Sequence, residues 1–352
     1  MSALIKIRRR VTDHVMLWFA VRRLVALIFL LIGITLIAFL LTHLVPGDPA
    51  AANLGQTALS DPAIVKAFNE RNGLDKPLPI QYFRYLAGLT HGDLGLSQRT
   101  QNPVSQDLSE YVPATLELAF TAIVLSLVVG VPLGIVAAMR RNTWIDQVLR
   151  VVSLSGVSLP TFWLALVCYY VFFFKLGWLP GGGRLTPGVS PPPFHTGLYT
   201  IDALLAGNMA KFWDALQHLI LPAVVLAAFT IGLLTRFTRA SMLEVLNNDY
   251  VRTARAKGLP ERTVIRRHVL RPALVPILTV FGVAFGSLLS GTVLVEKIFS
   301  WPGIGQYAYD SALNLDLPSI MGVSLVVATI YIVINFIVDI LYGVIDPRIR
   351  VT

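Results

Sequence analysis

Cysteine is nearly missing from this sequence: Cys168 stands alone, so no internal disulfide and no cysteine-based zinc cluster can form. Charge is scarce as well. Asp, Glu, Lys and Arg make up 14% of the 352 residues, where a soluble chain carries about a quarter. Several catalytic signatures are absent too. There is no G-x-x-x-x-G-K-S/T loop to cradle nucleotide phosphates, and Gly181-Gly182-Gly183-Arg184 lacks the Lys-Ser/Thr pair that would make it one. HExxH does not occur, nor does a Ser or Cys nucleophile in a recognisable elbow. His91 and Asp93 alone make no metal set, and Asp93 reads as a turn-stabilising residue. The chain is therefore expected to bind no metal or cofactor and to cleave no bond itself.

Apolar sequence is abundant. Hydrophobic residues supply 55% of the chain and the mean hydropathy is +0.67, which marks an all-α polytopic membrane protein. Apolar runs at 24–45, 116–138, 151–174, 218–235, 274–295 and 320–345 approach or exceed the roughly 20 residues a crossing needs, giving six transmembrane helices. Ahead of the first run stand Lys6, Arg8, Arg9, Arg10, Arg22 and Arg23. A signal peptide cleaved near Ala50-Ala51-Ala52 is the competing reading. The run is long for a signal core, and Pro46-Gly47-Asp48-Pro49 intervenes, so a retained first span is expected. The resulting plan is a segment 1–23, a first helix 24–45, a mostly helical cap 46–113, a five-span core 114–345 and a tail 346–352. Pro132 and Pro160 fall inside the second and third spans, where they should kink or open a helix, and Pro222 lies near the start of the fourth.

The formal net charge is +9, and its distribution gives the orientation. The six N-terminal charges, Arg140, Arg141, Arg150, the 236–271 cluster, Arg348 and Arg350 fall on one side, read as cytoplasmic, with both termini. Lys66, Arg71, Lys76, Arg84, Arg99, Arg184 and Lys211 are spread over far more residues on the other, with Lys175 and Lys297 at span ends. The connection 177–215 is then external and irregular. Flanking spans would pin the basic 242–276 stretch against the bilayer, which argues against a nucleic-acid partner. Intramembrane charge is limited to Glu117, Glu296 and Asp339 near span ends. Ion-coupled carriers place such groups nearer mid-span. Asp339 is the exception, read as structural with proton coupling as the alternative.

The loop 244–271 carries the most organised pattern. Asn247, Asn248 and Asp249 can cap a helix from Tyr250 to Lys257, Gly258 suits the left-handed residue that closes it, and Pro260 opens a second helix. There Val264, Ile265 and Val269 fall on one face and Arg262, Arg266 and Arg267 on the other. Small residues Ala254, Ala256 and Gly258 near the bend would let another protein approach closely. The alternative is a loop whose arginines only anchor it to the membrane surface.

YVRTARAKG (250–258) resembles the cytoplasmic loop of ABC-importer permeases, in the variant of dipeptide and oligopeptide systems. The resemblance extends to VPGDP (45–49), GLDKPLPIQYFRYL (73–86), HGDLGLS (91–97), EKIFSWPGIGQYAYDSALNLDLP (296–318) and DILYGVIDPRIR (339–350). It covers nearly the whole chain and is weakest over 177–215. The general family pattern has Glu-Ala-Ala before the glycine; here Arg252, Thr253 and Ala254 stand there, and Pro272 falls one residue late. The docking role of that glutamate is not carried over, while the small-residue bend is. The resemblance implies a type I ABC importer permease fold with a cytoplasmic coupling helix, in the bacterial cytoplasmic membrane. It implies a heterodimer with a homologous second permease, two ABC ATPase subunits that use ATP and magnesium, and an extracytoplasmic peptide-binding protein. Tyr250, Arg252, Thr253, Ala254, Arg255, Ala256, Lys257 and Gly258 would couple to the ATPases. Phe299, Trp301, Pro302 and Gly303 would form an external turn or gate, with Phe299 and Trp301 suited to the interfacial aromatic belt. The implied cargo is a di- or oligopeptide. Nickel, glutathione or another small ligand is the alternative within the family, and an ion-coupled secondary transporter the alternative outside it. No residue of the substrate path stands out.

Overall fold

The computed structural model describes residues 29–40 and 60–345, with Leu44, Ala50 and Leu54 singly between them. The expectations for 1–23, VPGDP and DPRIR lie outside the described residues, as does the side chain of Asp339. Every regular element described is helical, apart from one isolated antiparallel bridge between Leu96 and Pro103. The chain divides into two compact units, Met1–Ser105 with Ser311–Ile332 and Gln106–Asp310 with Val333–Thr352.

In the first unit, α1 (Phe29–Leu40) is a short apolar helix. Helix α2 (Pro62–Asn72) starts where the Asp61 carboxylate accepts from the Ala63 N–H at 2.9 Å, and stops at Gly73 with φ 68°. In α3 (Leu78–Thr90), Tyr82 shares a 3.1 Å hydrogen bond with Thr35 of α1. Asp93 accepts from the Gly95 N–H at 2.8 Å, the turn role its sequence suggests. Asp316 is buried and gathers the Ser97 hydroxyl, the Gln98 N–H and the Ser319 hydroxyl. A buried carboxylate is tolerated when donors surround it in this way.

The second unit is built on long helices: α4 (Val104–Met139), α5 (Trp144–Ser158), α6 (Thr161–Cys168), α7 (Tyr199–Leu205), α8 (Met209–Leu246), α9 (Asp249–Ala256) and α10 (Leu270–Ile298). Helix α11 (Ile304–Leu313) and helix α12 (Leu317–Ile345) run from one unit into the other. By length and composition, α4, α8 and Leu317–Val338 of α12 can each cross a membrane. Two bent pairs bring the number to five if each is one span: α5 with Thr161–Lys175, and Glu261–Leu274 with Pro276–Leu288.

Helices begin earlier than their apolar runs. At 36 residues, α4 is about 54 Å long against a hydrocarbon core of about 30 Å. Its first turns therefore extend past the bilayer, into the stretch read as cap. Helix α8 likewise starts inside the 177–215 connection, where the Asn208 side chain accepts from the Lys211 N–H at 3.0 Å. Pro132 and Pro222 sit within unbroken helices. Pro160 does break its span: Leu159 is extended (ψ 128°), as a residue before proline prefers, and the two halves meet at 103°.

Helix α8 is the centre of this unit, packing against α5, α6, α7 and α10. In hydrocarbon, apolar burial adds little, so helix contacts depend on close packing and a few polar links. At the end carrying Arg140, Arg141 and the 247–262 loop (the basic end), Arg239 of α8 grips Asp146 of α5 with Nε–Oδ1 2.7 Å and Nη2–Oδ2 2.9 Å. Asp146 is fully buried, also accepts from the Asn142 N–H, and has Arg150 Nε at 3.6 Å.

Helix α6 continues as π-helical turns over Tyr169–Lys175. The 177–215 connection that follows is more ordered than an irregular loop: Asp202, 1% exposed in α7, collects the N–H groups of His195, Thr196 and Gly197 and the Thr196 hydroxyl. Burial opposes the charge on Asp202, but these donors outweigh it and hold the carboxyl below the usual carboxylate range. A folded-state value below the unfolded one stabilises at pH above about 3.9, and that contribution is lost as pH falls through the folded value. Asp202→Asn should therefore lower the thermal midpoint at pH 6–7, and its difference from the unmodified chain should shrink below about pH 4. A difference that vanished on raising the pH from 5 to 8 would contradict this account.

Candidate functional site

At the basic end, α8 runs into α9 through a turn at Asn247 and Asn248. Asn248 is the cap residue as expected, in extended conformation (φ −72°, ψ 144°), but no side-chain hydrogen bond is made there. Val251 and Ala254 of α9 are buried in one cluster with Ala138 of α4, Met242 and Val245 of α8, Val264, Ile265 and Val269, and Ala273 of α10. The amphipathic reading of 262–269 holds, with Arg262, Arg266 and Arg267 exposed and the three aliphatic residues inside, although Val264–Val269 is π-helical. Ala254 is a correction. It is 6% exposed, because it lies one turn from Val251 on the inward stripe. It packs against the helices and leaves the outward face to the residues around it.

The outward face of α9 and its bend carries Tyr250, Arg252, Thr253, Arg255, Ala256, Lys257 and Gly258, all exposed, followed by Leu259. Gly258 has φ 76° and closes α9: its N–H donates to Arg255 O at 2.9 Å and the Leu259 N–H reaches Ala254 O at 3.4 Å. A Cβ there would meet nothing within 4 Å, so glycine is required by backbone conformation and not by space. Across the bend, Arg255 holds Glu261 with two hydrogen bonds, 3.1 and 2.7 Å. The result is a short, cationic helix, fixed in angle and presented outward.

At the opposite end of the unit, Phe299, Trp301, Pro302 and Gly303 form the turn between α10 and α11. The expected belt position of Phe299 and Trp301 is overturned: they are 2% and 1% exposed. The Trp301 indole donates to Ala114 O of α4 at 2.9 Å, which satisfies its polar atom inside. Glu296, also buried, accepts from Thr115 Oγ1 at 2.7 Å and from the Gln306 N–H at 2.9 Å in the first turn of α11. A Cβ on Gly303 would collide with the Glu296 carboxyl and Thr115, so the turn closes only over glycine. Pro302 is half-buried.

An ion pair that the sequence reading missed locks the 177–201 connection to this turn. Arg184, 6% exposed, donates to Glu117 Oε2 at 2.6 Å and to Gly197 O at 2.7 Å, and stacks 3.5 Å from the Tyr199 ring. The second Glu117 oxygen accepts the N–H and hydroxyl of Thr200 at 2.8 and 2.6 Å. Gly183 of the glycine run donates its N–H to Phe299 O at 2.9 Å. The available signal was Glu117 itself, a lone carboxylate in an apolar run, which requires a partner.

This architecture is a bundle of membrane-length helices with a rooted, outward-facing helix at one end and a pinned turn at the other, which defines a helical membrane protein. Residues 130–351 match the family described as binding-protein-dependent transport system inner membrane component, and residues 16–119 match its N-terminal membrane component family. The chain belongs to this family, and is an inner-membrane transport subunit. It is 48% identical over 323 residues (92% of this chain, 94% of the relative) to the probable D,D-dipeptide transport system permease protein DdpB of Escherichia coli K12. It is 45% identical over 335 residues (95% of this chain, 100% of the relative) to the dipeptide transport system permease protein DppB of Alkalihalophilus pseudofirmus. Among solved structures, an inward-facing form of the MetNI methionine ABC transporter shares the fold, with TM-score 0.50 and 17% identity, covering 68% of this chain and 96% of that one.

Removing one partner of the buried Arg184–Glu117 pair strands the other. Arg184→Met should cost about 3–5 kcal/mol in unfolding of the purified chain, and Arg184→Met with Glu117→Met should recover most of it. A single variant as stable as the unmodified protein would show that the pair is not closed in the membrane.

Proposed function

We propose that the chain is the permease subunit of an ATP-driven importer and carries di- or short oligopeptides across the inner membrane. The observation that supports this most is that it matches permeases named for dipeptide transport at 45–48% identity over more than nine-tenths of both lengths. In this reading six spans place both termini and the 244–271 loop in the cytoplasm, as the loop charges favour. A homologous second permease forms the path with this chain, and a peptide-binding protein docks outside. Two ATPase subunits supply the hydrolysis of ATP with magnesium.

The division of α9 into two faces gives the proposal a mechanism. Val251 and Ala254 fix the helix to α4, α8 and α10, while Tyr250, Arg252, Thr253, Ala256 and Lys257 are left for an ATPase surface. Movement of that surface would then be handed to the membrane helices instead of being absorbed in a loose loop. Arg255–Glu261 and the left-handed Gly258 set the angle at which the helix is presented.

Uptake of a labelled dipeptide, with chain abundance measured in the same membranes, tests this reading. Gly258→Val places a branched residue at positive φ, a strain of roughly 1–2 kcal/mol, small enough for the bundle to fold. It should lower uptake several-fold at equal abundance, while Arg266→Ala, an exposed anchor, should change it little. Unaltered uptake by Gly258→Val would favour a loop that only sets orientation, and a strain without this chain that still imported the dipeptide would refute the cargo.

A further inference from the structure

We propose that a pocket between α4, α5 and α8 at the basic end binds the phosphate headgroup of an anionic glycerophospholipid. The pocket, about 260 Å³, is lined by Arg150, Arg236 and Arg239 and by apolar residues including Leu149, Leu154 and Val157. That is below the roughly 300–1,000 Å³ of sites for drug-sized ligands, and suits a headgroup, not a whole lipid.

Charge selects the ligand. Arg239 uses Asp146 bidentately and Arg150 Nε lies 3.6 Å from the same carboxylate. Arg236 is three residues before Arg239 on α8, hence on the same side of the helix, and is exposed, with its guanidinium 5.6 Å from the Phe237 ring. Three arginines thus line the pocket with one carboxylate among them, and that carboxylate is buried and engaged by Arg239 and Arg150. A phosphodiester fits such a site because guanidinium forks bind two phosphate oxygens at once. Basic pockets between membrane helices on the cytoplasmic side favour anionic headgroups for the same reason.

The surroundings point to a lipid. On α5, Leu149, Leu154 and Val157 line the pocket beside Arg150, and Leu154 is 59% exposed, an apolar strip on the pocket wall along which the start of an acyl chain can lie. Inorganic phosphate would use the arginines and leave this strip bare. A protein partner covering it would have to desolvate the arginines without supplying a phosphate. The pocket itself stands on geometry; naming the cytoplasmic leaflet rests on the proposed orientation.

The test uses the full chain in nanodiscs of equal phosphatidylglycerol and phosphatidylcholine, with lipid retained after a detergent wash counted by native mass spectrometry. The unmodified chain should retain phosphatidylglycerol selectively. Arg150→Gln with Arg236→Gln, which keeps the Asp146–Arg239 clamp, should retain it at least roughly tenfold less. Its thermal midpoint in phosphatidylcholine alone should stay above the temperature of the retention measurement, because Arg239 still pairs with Asp146, and Arg266→Gln should behave as the unmodified chain. Should the double variant fail to fold, Leu154→Trp, which fills the pocket mouth and leaves the charges, should show the same loss. Equal retention by the variant that folds would overturn the proposal. So would displacement of phosphatidylglycerol by an equal concentration of inorganic phosphate. A photo-reactive probe at position 154 that captured a protein chain in cells, and no lipid, would assign the strip to a partner instead.

Discussion

Hydrocarbon offers no hydrogen-bond partner, so every polar group that enters it must find one within the protein. The buried carboxylates of Glu117, Asp146 and Glu296 follow that constraint. Backbone groups are taken up by helices, and the strongest charges appear at helix ends, each enclosed by its own donors or counter-charge. Glu117 has Arg184 and Thr200, Glu296 has Thr115 and the first turn of α11, and Asp146 has Arg239 and Arg150. These clusters act as fasteners at the two ends of a bundle whose middle is held by packing around α8. Because an uncompensated partner would be very costly in such surroundings, each fastener also selects a single arrangement of the helices it joins.

The same constraint explains what could be read in the sequence. The apolar runs within α4, α8 and α12, the left-handed Gly258 and the inward Val264, Ile265 and Val269 are local patterns, and they appear where the sequence puts them. Three features escaped because they are set by distant residues. Glu117 and Arg184 are 67 positions apart, and nothing near either one names the other. Trp301 has the composition of an interfacial anchor, yet the carbonyl of Ala114 takes its N–H and draws the ring inside. Ala254 is small, as an interface residue often is; its place one turn from Val251 decides that it faces inward. Boundaries were also displaced, since α4 and α8 continue past the bilayer where apolarity no longer marks them.

Membership of the inner-membrane component family gives these features a purpose. In the proposed importer, a subunit driven by ATPases would need a contact surface that does not yield when pushed. Helix α9 would meet that need with two buried residues on its inner face and a two-bonded arginine–glutamate clamp at its bend. At the opposite end, the pinned turn around Trp301 and the Arg184-anchored connection provide an equally firm rim. The break at Pro160 lies between those two ends, in a span whose halves meet at 103°.

The central claim is that α9 moves as one body with the helices it is rooted in. Spin labels at exposed Thr253 and Arg140, in a chain with Cys168→Ser as background, allow that claim to be measured in the assembled transporter by pulsed electron resonance. The account predicts the same Thr253–Arg140 distance distribution with and without nucleotide, while the distance from Thr253 to the proposed second permease changes. A Thr253–Arg140 distance that shifts or broadens on nucleotide binding would contradict it, since α9 would then swing free of its base.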